Sequence, residues 1–173
     1  MDEVDRLIQA FRARATSPVD AKLDVLLDLN VEWLGDPRVV PFLLQVLGDR
    51  REAPAVRRHV LTRLRDKRLP AATRPVVAEA IVQIASDGAS PELWLPAALA
   101  LGDFAGLAGV PAALGRLALD VALPIDLRYC AFTSLERAGP IVECVAVLRQ
   151  LSTDEALGPS ARSVLAGWRL ASP

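Results

Sequence analysis

The sequence predicts an all-α chain of roughly ten helices, paired into about five hairpins that stack as an α-solenoid. Three observations predict it. A pattern returns every 34 to 37 residues: Val56-Arg57-Arg58 with Leu64 recurs as Leu93-Trp94-Leu95 with Leu101, as Leu127-Arg128-Tyr129 with Leu135, and more weakly as Ala161-Arg162-Ser163 with Leu165. A repeat of that length is one helical hairpin, which cannot bury its apolar face alone and must stack on its neighbours. Of the 173 residues 52% are hydrophobic but only 5% aromatic, and the excess of Leu and Ala favours helices over strands. Finally, Pro18, Pro37, Pro54, Pro91, Pro124, Pro140 and Pro159 fall at the starts of apolar-periodic segments. In the first turn of a helix a proline sacrifices no intrahelical hydrogen bond.

The elements follow in order. Hairpin one (1–34) has helices over 2–15 and 18–33; Asp2 and Glu3 suit the positive end of the first helix dipole, and Ser17 precedes the second as a cap. Hairpin two (35–68) has helices over 37–48 and 54–66, with Asp36 as cap and Leu43-Leu44 with Leu47 as the buried stripe. Hairpin three (69–104) places helices over 71–86 and 91–103, the stripe being Ala80-Ile81 with Ile84 and the second cap Ser90. Hairpin four (105–138) uses 107–120 and 124–138, with Ala113-Leu114 and Leu117 inward. Hairpin five (139–173) uses 140–152 and 159–170, with Val147-Leu148 and Leu151 inward. Gly35, Gly88, Gly139 and Gly158 sit in the connections.

The segment from Asp36-Pro37-Arg38 through Phe42-Leu43-Leu44 to Gly48-Asp49, followed by Ala55-Val56-Arg57-Arg58, resembles a nearly complete HEAT unit. Degenerate forms cover the rest, Trp94 standing where the arginine is expected in hairpin three. The resemblance is to HEAT repeats and their bacterial HEAT-like relatives. It implies a right-handed α-solenoid of about five hairpins whose second helices line a shallow concave face. It also implies that Arg57, Arg128 and Arg162 are structural, each paired with an acidic residue of an adjoining repeat, with Asp36, Asp49, Asp126 and Asp154 as candidates. For function it implies a scaffold or adaptor for another protein. HEAT-like DNA glycosylases use tryptophans, a basic face and a catalytic aspartate, but Trp33, Trp94 and Trp168 lie in separate hairpins and read as packing residues. Phycobilin lyases also contain HEAT-like repeats, yet no bilin-specific residue can be carried over.

Charge is distributed unevenly. Residues 1–36 carry eight acidic and four basic side chains, residues 37–75 ten basic and three acidic, and the remainder ten acidic and six basic, although the whole chain stands at −1. The middle is therefore a local positive field. Arg50, Arg51, Arg58, Arg65, Lys67 and Arg68 form the candidate partner-binding basic zone. No aromatic residues interleave with it for base stacking, and the other hairpins do not continue it. An acidic protein partner or plain solvation fits better than nucleic acid, which stays as the alternative.

From Leu93 to Leu127 the charged residues are Asp103, Arg116, Asp120 and Asp126. Phe104, Leu107, Val121 and Ile125 are accordingly the candidate apolar binding zone at helix ends and turns, unless tight Ala- and Gly-rich packing hides them. Prolines and glycines break this stretch into pieces too short to span a membrane.

Catalysis is poorly supplied. His59, read as a surface residue, is the only histidine, so no histidine metal cluster forms within one chain, and no G-x-S-x-G or phosphate-loop motif is present. The acidic start lacks the features of a secretory signal. Cys130 and Cys144 fall inside helices and read as buried thiols. The expectation is a cytoplasmic non-enzyme without metal or cofactor.

Overall fold

The computed structural model describes residues 2–168, which form ten α-helices and no β-strand. They are α1 (Glu3–Ala13), α2 (Val19–Asp28), α3 (Val39–Gly48), α4 (Pro54–Arg63), α5 (Arg74–Ser86), α6 (Trp94–Leu101), α7 (Val110–Leu119), α8 (Ile125–Ala138), α9 (Val142–Leu151) and α10 (Gly158–Gly167). Nine of the ten lie within the expected segments, and α10 starts one residue early, at Gly158 rather than 159. Positions 169 and 170 of the last expected helix lie outside the described residues.

Helices pack in two series. Each odd helix lies against the even helix that follows it, and α3, α5, α7 and α9 contact one another in succession, as do α2, α4, α6 and α8. A single core runs between the series, from Leu7, Leu43, Ile81, Leu114 and Leu148 on odd helices to Leu26, Leu61, Leu101, Leu135 and Leu165 on even ones. Stacking amphipathic pairs in this way buries stripes that no hairpin could cover by itself.

In hairpins two to five the turn between the helices is built by an aspartate. Asp49, Asp87 and Asp120 end α3, α5 and α7, and the Oδ1 of each accepts the backbone N–H two residues on, at Arg51, Ala89 and Ala122. Asp154, after α9, does the same for Ala156 and also takes the N–H of Leu157. Such Asx turns reverse the chain with a short polar side chain standing in for a backbone acceptor.

Several boundaries differ from expectation. α2 stops at Asp28 rather than 33, because the Asn30 side chain accepts the Glu32 N–H at 2.8 Å and opens a 3₁₀ turn over Val31–Gly35 that holds Trp33. Ser17 caps nothing: Pro18 occupies the N-cap of α2 without a side-chain bond. Ser90 also fails as a cap, its hydroxyl being turned into the core. Asp36 is not the cap either: it accepts the Arg38 N–H at 2.9 Å in the preceding turn, and Arg38 itself takes the N-cap of α3 without a side-chain bond. α6 is shorter than 91–103, with 3₁₀ turns at Pro91–Leu93 and Gly102–Phe104 on either side. α7 begins at Val110 because Gly109 sits at φ 84°, in the left-handed region open to glycine. No described helix is long and apolar enough to cross a membrane.

Candidate partner-binding surface

The repeat position decides which cations are free. Lys22, Arg57, Trp94, Arg128 and Arg162 stand near the starts of the even helices. Arg57 Nε donates to the Leu47 carbonyl at 2.8 Å, Arg128 Nε to that of Ala118 at 2.9 Å, and Arg162 Nη1 to that of Ser152. Each acceptor lies ten residues back, at the end of the hairpin's own odd helix, where carbonyls lack intrahelical donors. A second contact reaches the next hairpin: Arg128 Nη2 to Asp154, Arg57 Nη1 to Ser90 Oγ at 2.7 Å, and Lys22 Nζ to Glu52 at 2.9 Å.

Expectation and structure part at Arg57. Its side chain is only 2% exposed, yet it bonds a carbonyl and a hydroxyl and no carboxylate, so neither Asp36 nor Asp49 is its partner. Arg128 does pair with Asp154, whose carboxyl is held below its usual range chiefly by the Leu157 backbone N–H, and further by Arg128. Asp126 is exposed at the start of α8. Lys22 escaped the sequence reading as a member of the series, although its spacing to Arg57 belongs to the repeat. A lysine among arginines hid it.

Much of the basic zone is neutralised internally. Arg50 pairs with Asp87 at 3.1 Å, Arg65 with Asp103 at 2.6 Å and Arg68 with Asp66 at 3.2 Å. Asp103 also takes Arg137 Nη2 at 3.0 Å, and its backbone carbonyl accepts Arg74 Nη2 at 2.6 Å. Arg51, Arg58 and Lys67 are exposed and have no ion-pair partner among the described residues. Beside them His59 is half-buried, correcting its reading as a surface residue; burial and then the Arg63 charge push its pKa below the ordinary value. Arg63 reaches back to the Leu26 carbonyl at 3.2 Å.

The four apolar candidates do not come together. Phe104 is 1% exposed and lies in the core with the Arg74 guanidinium 4.6 Å from its ring centroid, so it cannot present a surface. Leu107 is half-buried before α7 and lines a cleft of about 550 Å³ with Pro75, Ala78 and Val82. Val121 and Ile125 are 76% and 50% exposed, but beyond the other end of α7. A ten-residue helix of about 15 Å separates them from Leu107.

Two exposed apolar residues that the sequence reading passed over lie on α8 with Ile125 and on α6 against it. Leu95 is 40% exposed and Tyr129 52%, each standing one residue after the repeat position, on α6 and α8, which touch. Ile125 lies four residues before Tyr129 and shares its side of α8. Arg58 is the same register position on α4. The signal was present in the repeat itself: the residue after a buried repeat arginine must turn outward. The arrangement can offer noncovalent contacts, an apolar and aromatic strip ending in a cation.

Trp33, Trp94 and Trp168 are half-buried against the core, and Trp94 Nε1 donates to the Asp87 carbonyl at 2.7 Å. Cys144 is buried, its thiol pushed up to about 11 by burial and the neighbouring Glu143, while Cys130 is only half-buried. The described residues hold no group of three or more His, Cys, Asp or Glu placed to bind a metal ion. No family model matches the chain, and no significant match exists among curated proteins or solved structures.

Proposed function

We propose that the chain is a right-handed α-solenoid of five HEAT-like hairpins that acts in the cytoplasm as a scaffold or adaptor for another protein. The two series of helices, odd on odd and even on even, support the architecture. The observation that carries the function is the strip of Leu95, Ile125 and Tyr129 on neighbouring even helices, exposed where a helix of this core would otherwise present polar side chains. Aromatic and aliphatic anchors beside an unpaired arginine are the usual composition of a protein-binding patch.

The test is a double variant, Leu95→Asp with Tyr129→Asp, used in affinity capture from native lysate with mass spectrometry. Both side chains are exposed, so folding stability should shift by only about 0.5 kcal/mol per site. The partner recovered by the unmodified chain should be lost. Equal recovery by both proteins would place the binding surface elsewhere, and unfolding would show that the strip is core. A second reading rests on Arg51, Arg58 and Lys67, which keep their charges free for phosphate. Salt-sensitive binding to short duplexes, abolished by reversing Arg51, Arg58 and Lys67, would select it.

A further inference from the structure

The buried side-chain nitrogens and oxygens of the described residues all have hydrogen-bond partners except one, Nη2 of Arg57. A guanidinium is always charged, and a buried donor left unmade is costly, so this vacancy points to something the fold is built to receive. The comparison lies within the chain. At the equivalent position Arg128 directs Nη2 to Asp154, the turn aspartate of the next hairpin. The turn aspartate facing Arg57 is Asp87, but Asp87 Oδ1 is drawn outward to Arg50 at 3.1 Å and to the Ala89 N–H. Ser90 fills part of the gap with a neutral hydroxyl. One donor remains.

Arg57 lines a cleft of about 230 Å³ between α3 and α5, together with Arg50, Asp87 and Gln83, and with Leu44 and Ile84 among its apolar walls. The two arginines and one aspartate give the cleft a single net positive charge. The geometry points to a carboxylate-binding site: Arg57 and Arg50 hold the oxygens of one ionised carboxyl group, Gln83 offers its amide, and a short apolar body rests on Leu44 and Ile84. A monoanion matches the charge, and the volume admits a chain of only a few carbons. Two sources supply such a carboxylate, a free small acid and an acidic side chain of another protein, and the experiment separates them. This inference does not depend on the strip of α6 and α8.

The full chain is followed by NMR, reading the Arg57 Nε–Hε and Gln83 side-chain amide signals during titration with butyrate. Saturable shifts are expected, with a dissociation constant on the order of 1 mM, the affinity of one or two charge-assisted bonds plus modest apolar burial. Gln83→Glu and Arg50→Ala alter exposed side chains and each lower the net charge of the cleft by one, the first by adding a carboxylate and the second by removing a guanidinium. Each should weaken butyrate about tenfold. Arg57 itself is left intact because its loss endangers the fold. Neutral butyramide should not bind. The capped peptide acetyl-Leu-Glu-Leu-amide separates the sources: tighter binding than butyrate assigns the site to a partner's side chain, weaker or equal binding to a free acid. Absence of saturable shifts, affinity in the two variants equal to that of the unmodified chain, or butyramide binding as well as butyrate would each overturn the proposal.

Discussion

At His59 a single half-buried imidazole ties stability to pH. Desolvation and the Arg63 charge both disfavour its protonated form, so its folded pKa lies below the unfolded value near 6.5. The unfolded chain then binds the extra proton first, and the stabilising contribution is full above about pH 6.5 and lost as pH falls through the folded pKa. Asp36, lowered to about 2 mainly by its bond from Arg38, titrates far below that window and does not confuse it. Thermal melts should show stability declining from pH 7 towards pH 5, and His59→Gln should flatten that decline; an unchanged slope would assign it to other groups. Residue identity also limited what could be read beforehand. Arg57 was legible as a buried repeat arginine, because Val60, Leu61 and Leu64 surround it on the helical wheel. Its partner was not legible, since whether Asp87 turns inward or outward depends on Arg50, a residue of another hairpin. Phe104 failed for a similar reason: the cation that covers its ring comes from Arg74, 30 positions earlier.

Elements were easier to read than their ends. The repeat spacing, the prolines and the i, i+3, i+4 stripes together located the ten helices, whereas Ser17 and Ser90 made plausible caps that the chain does not use: Pro18 takes the N-cap of α2, and the Ser90 hydroxyl accepts from Arg57. Close approach between helices was not legible at all. α7 meets α9 at Gly115, where an added Cβ would stand 2.8 Å from Val147 Cγ2. Val147 is β-branched and cannot turn aside cheaply. Gly115→Ala should therefore destabilise by about 1 kcal/mol, the overpacking penalty exceeding the gain in helix propensity. Gly48→Ala, at the last residue of α3 with nothing within 4 Å, supplies the control and should be neutral or slightly stabilising. Chemical denaturation of the two variants measures the contrast; equal midpoints would show that α9 shifts freely to make room.

For the whole molecule, the link that reaches furthest is Asp103. Its carboxylate holds Arg65 from hairpin two and Arg137 from hairpin four, while its own backbone belongs to hairpin three. Both pairs are partly exposed, so their joint worth is about 1 kcal/mol after screening. In Asp103→Asn, hydrogen exchange should lose protection in α4, α6 and α8 together, with α1 unchanged; a loss confined to α6 would show that the bridge is ornamental. Arrays of like units lengthen and shorten in evolution by whole hairpins, since each contacts only its neighbours. A carboxylate of hairpin three shared by hairpins two and four opposes that in the middle of this chain, by about 1 kcal/mol. Deleting hairpin three, or inserting a copy beside it, would leave Arg65 and Arg137 without a common anchor. Asp103 thus favours a single unit between them.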